Sequence, residues 1–231
     1  MVKSAVIIFP GSNCDRDLLS TFETMSGKKP QAVWHADTTL PEGLDVIGVP
    51  GGFSYGDYLR SGAIAARSPI MQEVIKAAKR GCYIVGICNG FQILTETGLL
   101  PGVLLRNHRL KFICRNVGLK PVNTDTAFTK NYATTPQISL PIAHHDGNYF
   151  ADPDTLRSLA DHNQIAFQYA DASGAVTPEA NPNGSAQNIA GIFDPTFRIL
   201  GMMPHPERAC DPLTCGTDGR GLFTSLFKHI G

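Results

Sequence analysis

Surplus charge is missing from this sequence: 20 Lys+Arg stand against 20 Asp+Glu, and charged residues make up only 17% of its 231. A general nucleic-acid binder needs a basic face to displace counterions from phosphates, so that class is set aside. Also missing is any stretch near the ~20 apolar residues that span a bilayer. The run Ala5-Val6-Ile7-Ile8-Phe9 is too short for a secretion signal and is broken at once by Pro10-Gly11. A cytoplasmic protein without membrane contact is therefore expected. The six cysteines (Cys14, Cys82, Cys88, Cys114, Cys210, Cys215) include no CxxC pair, which argues for reduced thiols, with no metal site and no disulfide framework. Neither GxxxxGK[ST] nor GxGxxG occurs, so the common phosphate and dinucleotide cradles are absent. No internal repeat or low-complexity tract is found.

What is present, 42% hydrophobic residues, suffices for a real core and argues against disorder. The run 5–9 reads as a strand buried on both faces. A helix follows, capped by Asn13 or Asp15, with Leu18, Leu19, Phe22 and Met25 on one face and Gly27 and Pro30 stopping it. Strands at Ala32-Val33-Trp34 and Val46-Ile47-Gly48-Val49 come next. Ser68-Pro69 opens a second helix, with Ile70, Val74 and Ala77 or Ala78 facing inward. Another buried strand, 82–87, runs into Cys88, and a helix carrying Phe91, Ile93 and Leu94 continues to Gly98. Such alternation predicts a parallel sheet wrapped by helices. Beyond residue 110, strand-like pieces at 112–119, 138–143, 165–169 and 189–193 look antiparallel, while 123–136 and 171–185 read as loops. A last strand at 199–203 precedes Pro204-His205-Pro206-Glu207. Leu222, Phe223, Leu226, Phe227 and Ile230 mark a C-terminal amphipathic helix.

Gly86-Ile87-Cys88-Asn89-Gly90 lies between a buried strand and a helix, the pattern of a nucleophile elbow with Cys for Ser. Small residues two positions either side permit the tight turn. The helix N-terminus favours a thiolate, and the Asn89 amide is free to donate to an oxyanion. The plain alternative is a small buried thiol, and the other five cysteines are read that way. His205 is the candidate base. With two prolines holding the backbone extended, Glu207 would point the same way and orient it. Equally, the prolines could merely end the strand. Pro50-Gly51-Gly52-Phe53 either aims backbone N–H groups at a ligand or is only a tight turn.

Taken together, the Gly-Gly turn, the GxCxGxQ elbow (Gly86, Cys88, Gly90, Gln92) and the late His-Pro-Glu strongly resemble the class I glutamine amidotransferases. Longer stretches are similar to one branch of them, the glutaminase subunits of phosphoribosylformylglycinamidine synthases: 9–15, 50–60, 88–92, 181–185, 189–191 and 201–208. The resemblance implies a single amidotransferase domain over 1–231. The fold expected is α/β, with a flavodoxin-like open, mostly parallel sheet, helices on both faces and a minor antiparallel strand region. It implies Cys88 as nucleophile, His205 as base, Glu207 as its partner, and Gly51, Gly52, Asn89 and Gln92 as oxyanion or substrate contacts. It implies further that glutamine is the substrate and that this chain binds no cofactor. A large synthetase subunit, using ATP and Mg, would receive the ammonia, with a small third subunit beside it. His145, in His144-His145-Asp146-Gly147-Asn148, departs from the family pattern and is read as a loop contact to a partner or a second base. Arg106, His108, Arg109 and Lys111 form a basic cluster that is either solvated or a contact for the substrate carboxylate or the synthetase. Three rivals stay open: an amidotransferase serving another synthetase, an unrelated Cys-elbow hydrolase, and an idle flavodoxin-like scaffold.

Overall fold

In the computed structural model, which describes residues 2–231, the elements begin with β1 (Ser4–Ile8), α1 (Asp15–Ser26), β2 (Gln31–Trp34), β3 (Val46–Val49) and α2 (Pro69–Lys79). They continue with β4 (Tyr83–Ile87), α3 (Asn89–Glu96), β5 (Val103–Leu105), β6 (Ile113–Pro121), β7 (Ile138–His144) and β8 (Asn148–Phe150). α4 (Pro153–Asp161), β9 (Ile165–Ala170), β10 (Ile189–Phe193), β11 (Ile199–Met202) and α5 (Arg220–Ile230) complete the chain. A nine-stranded sheet runs in the order β2-β1-β3-β4-β11-β10-β9-β6-β7, and β5 pairs with β8 in a separate two-stranded antiparallel sheet. The first five strands of that order are mutually parallel and the rest antiparallel. The antiparallel region expected at the margin is thus four strands of the same sheet.

Two strand glycines show which helices cover which face. A Cβ at Gly48 would lie 2.7 Å from Leu18 of α1, and one at Gly201 would lie 2.2 Å from the Phe91 ring of α3. Gly48 pairs with Val85, whereas Gly201 pairs with the next residue, Gly86. Successive residues of a strand face opposite sides, so α1 and α3 pack on opposite faces. α5 joins α1, with Phe22 edge-on to Phe223 and Phe227.

Several local expectations are corrected. Cys14, not Asn13 or Asp15, occupies the position before α1, and no side chain caps that helix. Ser68 does precede Pro69 at the start of α2, but its buried hydroxyl has no partner. Leu19 and Met25 are only partly buried, leaving Leu18 and Phe22 as the main contacts of α1. The helix α4 is absent from the sequence expectations, although Asp152 accepts bonds from the Asp154 and Thr155 N–H groups and Pro153 takes its first turn.

Candidate active site

β4 is buried throughout and ends directly in α3, so the chain must turn within one residue, Cys88. Cys88 has φ 52° and ψ −106°, a conformation costing about 1–3 kcal/mol in a non-glycine residue. A Cβ at Gly90 would lie 2.0 Å from the Val49 carbonyl oxygen, so only glycine lets α3 approach β3. The Cys88 N–H donates to Met202 O of β11 at 2.8 Å, and its thiol faces Ala143 O at 3.8 Å. The first-turn N–H groups of α3 point at this corner, which suits an anion.

β11 lies beside β4 in parallel register, Met202 opposite Ile87, so the segment after β11 emerges next to the elbow. There the His205 N–H donates to Pro141 O at 2.8 Å, and Nδ1 donates to Glu207 Oε1 at 2.6 Å. Both side chains are fully buried. The contact arises differently from the sequence expectation. Pro206-Glu207-Arg208 forms a 3-10 turn, with Ala209 N bonded to Pro206 O, and this turn rather than an extended strand brings Glu207 under the ring. Burial pushes the His205 imidazole down, but the Glu207 carboxylate, Cys88 and Cys14 outweigh it and hold it well above its ordinary value.

Gly51 closes the floor: a Cβ there would lie 2.8 Å from His205 Cε1 and 3.4 Å from Cys88 Cβ. Gly52, at φ 142°, is wedged against Gly11 O, and its N–H makes no hydrogen bond to the protein among the described residues. A cavity of about 210 Å³, lined by Asn13, Cys14, Gly52, Phe53, Phe112 and His205 among others, opens beside the ring. A larger one of about 430 Å³ lies behind Glu207 and Arg208 against α1, away from the thiol.

The sequence pattern of the CobB/CobQ-like glutamine amidotransferase domain matches residues 1–218. The chain belongs to that family. Phosphoribosylformylglycinamidine synthase subunit PurQ of Cereibacter sphaeroides is 58% identical over 225 residues, 97% of each chain. A chain in the solved structure of PurLQS from Thermotoga maritima matches with 41% identity and a TM-score of 0.86, covering 100% of this chain and 99% of that one. The glutaminase domain of Trypanosoma brucei CTPS, solved with bound acivicin, has a TM-score of 0.61 at 15% identity, covers 100% of this chain and 95% of that one, and so shares the fold.

Within this glutamine amidotransferase, the elbow, the His205–Glu207 pair and the Gly51-Gly52 turn converge on one corner. Gln92 is close by but engaged: its Nε2 donates to Asp146 O at 2.6 Å and its Oε1 accepts from Asn89 Nδ2 at 2.8 Å. Its observed work is to tie α3 to the 144–147 turn. Asn89 also accepts from the Ser54 N–H. His145 turns away, with Nε2 toward Leu110 O at 3.3 Å and Nδ1 3.6 Å from Asp146. Arg106, His108, Arg109 and Lys111 are exposed, and Arg106 alone among them pairs, with Asp146 at 3.6 Å.

Sequence reasoning missed three buried polar side chains. Asn107 accepts from the Gly147 N–H and donates to His144 O, and Asn183 donates to Gly147 O, so together they fix the turn beside the thiol. His144 donates through Nδ1 to Asn107 Oδ1, leaving Nε2 without a partner. Burial, then His205, push it down to about 3. The unfolded chain takes up this proton near pH 6.5, whereas the folded chain resists until about 3, so stability falls with pH across that window. Between pH 7 and 5 the loss from His144 alone is about 2 kcal/mol, offset in part by His205, whose raised folded value acts with the opposite sign. Urea midpoints should show this decline in the wild type and a flatter profile in His144→Gln; equal slopes would exclude His144 as its source.

No helix among the described residues is long and apolar enough to cross a membrane. The sequence signal that could have found Asn107 and Asn183 is weak, because an isolated Asn in a loop reads as turn chemistry.

Proposed function

We propose that this chain is the glutaminase subunit of phosphoribosylformylglycinamidine synthase, a single amidotransferase domain over 1–231. It hydrolyses glutamine and hands ammonia to an ATP- and Mg-dependent synthetase subunit. That partner replaces the amide oxygen of formylglycinamide ribonucleotide with nitrogen in purine synthesis. The observation that carries the reading is the buried His205–Glu207 pair beside the Cys88 elbow, in a chain similar over nearly its whole length to PurQ subunits.

In this reading the Cys88 sulfur attacks the glutamine carboxamide carbon. N–H groups of Gly52 and Asn89 stabilise the resulting oxyanion, each contributing about 3 kcal/mol. His205 gives its proton to the departing ammonia and then takes one from the water that cleaves the thioester, while Glu207 holds the ring in its Nδ1–H tautomer. Gly51 gives the ring room, and Gln92 fixes the wall against which glutamine lies. This chain needs no cofactor for these steps.

Exposed apolar side chains rim the corner and support a partner there. Phe53 and Phe112 pack ring to ring at 6.4 Å, and Tyr58, Leu59 and Leu110 stand 75%, 92% and 67% exposed. Such a surface fits a docked subunit better than water. We assign it to the large synthetase subunit, with a small third subunit completing the complex in the cytoplasm. Nucleic acid and membrane have no place in the reading. Affinity capture of the tagged chain should bring down an ATP-binding synthetase, and glutamine-dependent amidation of formylglycinamide ribonucleotide should require both. Capture of a different synthetase, with no amidation, would overturn the pathway assignment.

A further inference from the structure

α1 is fastened to the His205–Arg208 segment by side-chain hydrogen bonds as well as by packing. Thr21 Oγ1 donates to Glu207 O at 3.2 Å, and Arg208 Nε lies 3.3 Å from Asp17 Oδ2. Arg208 Nη2 also donates to the Cys14 sulfur at 2.9 Å. Cys14 in turn donates its backbone N–H to Gly51 O. It is buried, and its sulfur lies within 4.8 Å of a ring nitrogen of His205 and a carboxylate oxygen of Glu207. A Cβ placed on Gly51 would touch Cys14 Sγ at 3.2 Å, on the same point where it meets His205 and Cys88. The imidazole, Cys14 and Cys88 therefore converge on the same side of the Gly51 backbone.

We infer that Cys14, clamped by Arg208, is a positioning residue for His205, holding the ring in line between Glu207 and the Cys88 thiol. The inference rests on the proposed glutaminase chemistry. An arginine N–H can only donate, so the Arg208 contact turns a sulfur lone pair into a fixed acceptor beside the ring. That sulfur is a soft, polarisable neighbour for an imidazolium whose ring is buried, where an acceptor acts more strongly than in solvent. Every group facing the ring is accounted for: Glu207 on its own segment, Cys88 at the elbow, Cys14 before α1 and His144 at the end of β7, with Arg208 behind Cys14. Of these, Glu207, Cys88 and Cys14 favour the ring's charge, while His144 is itself held neutral near pH 7, by burial first and then by the charge of His205.

The test compares Cys14→Ala and Cys14→Ser with the wild-type full chain. Glutamine hydrolysis in the assembled complex should show kcat about tenfold lower in Cys14→Ala with KM little changed, as expected when general acid–base geometry is loosened. Cys14→Ser, which keeps an acceptor for Arg208, should recover part of the loss. Histidine NMR on the isolated chain reads the ring directly. The His205 titration should move to lower pH by about one unit in Cys14→Ala and by less in Cys14→Ser. A Cys14→Ala chain with wild-type kcat would overturn the assignment. So would a reduced kcat with an unmoved His205 titration, since Cys14 would then be packing alone. If Cys14→Ala does not fold, Cys14→Ser judges by the same two readings. Failure of the wild type to hydrolyse glutamine would instead strike the proposed function, leaving the titration to decide about Cys14.

Discussion

Cys88→Ala is expected to abolish glutamine hydrolysis, lowering kcat by about a thousandfold or more, while synthesis from added ammonium salt persists. Only the sulfur can form the thioester, and removing the nucleophile from a cooperative set costs nearly as much as removing the whole set. The fold should survive: alanine fits the buried site, and the bonds from Cys88 N to Met202 O and from Gln92 N to Cys88 O are backbone bonds. Melting near the wild-type temperature, with amidation supported by ammonium alone, would separate a chemical from a structural defect. Glutamate release by purified Cys88→Ala would show that the nucleophile lies elsewhere.

Gly90→Ala acts on the scaffold, and its effect should rank second. The added methyl would come within 2.0 Å of Val49 O, and the next contacts are backbone as well, Val49 C at 2.7 Å and Pro50 O at 3.3 Å. No side-chain rotation relieves this, so α3 must lift from β3 and carry Cys88 with it. Overpacking against backbone costs about 3 kcal/mol, which for a domain of this size lowers the melting temperature by roughly 6–12 °C. Activity should fall further than stability, because the elbow is displaced even in the folded fraction. A melting temperature within about 2 °C of wild type would mean that the helix does not approach the strand as described.

Much of this architecture was legible because its signals are local. The apolar runs at β1, β3 and β4 are continuous, as strands buried on both faces must be, and Gly86, Cys88 and Gly90 state their turn in five residues. His205 and Glu207 were readable for the same reason. The breadth of the antiparallel half was harder to see, since β6 pairs with both β7 and β9 across long polar loops that carry no periodicity. The two-stranded sheet of β5 and β8 joins residues more than forty apart through strands of three residues each, below the length at which alternation can be recognised. In the sequence Cys14 reads as a bystander because nothing in Asn13-Cys14-Asp15 announces that Gly51 and Arg208 will meet it. Its partners lie 37 and 194 positions away.

β11 carries one last consequence. It is inserted between β4 and β10, in the middle of the sheet, yet it follows the other ten described strands in chain order. Until residue 202 is made, β4 and β10 each present an unpaired edge, and the elbow exists without the imidazole that would put it to use. A nascent or C-terminally truncated chain is thus sticky rather than prematurely active. Ammonia release waits on the closing stitch of the sheet, so synthesis itself acts as a safety catch.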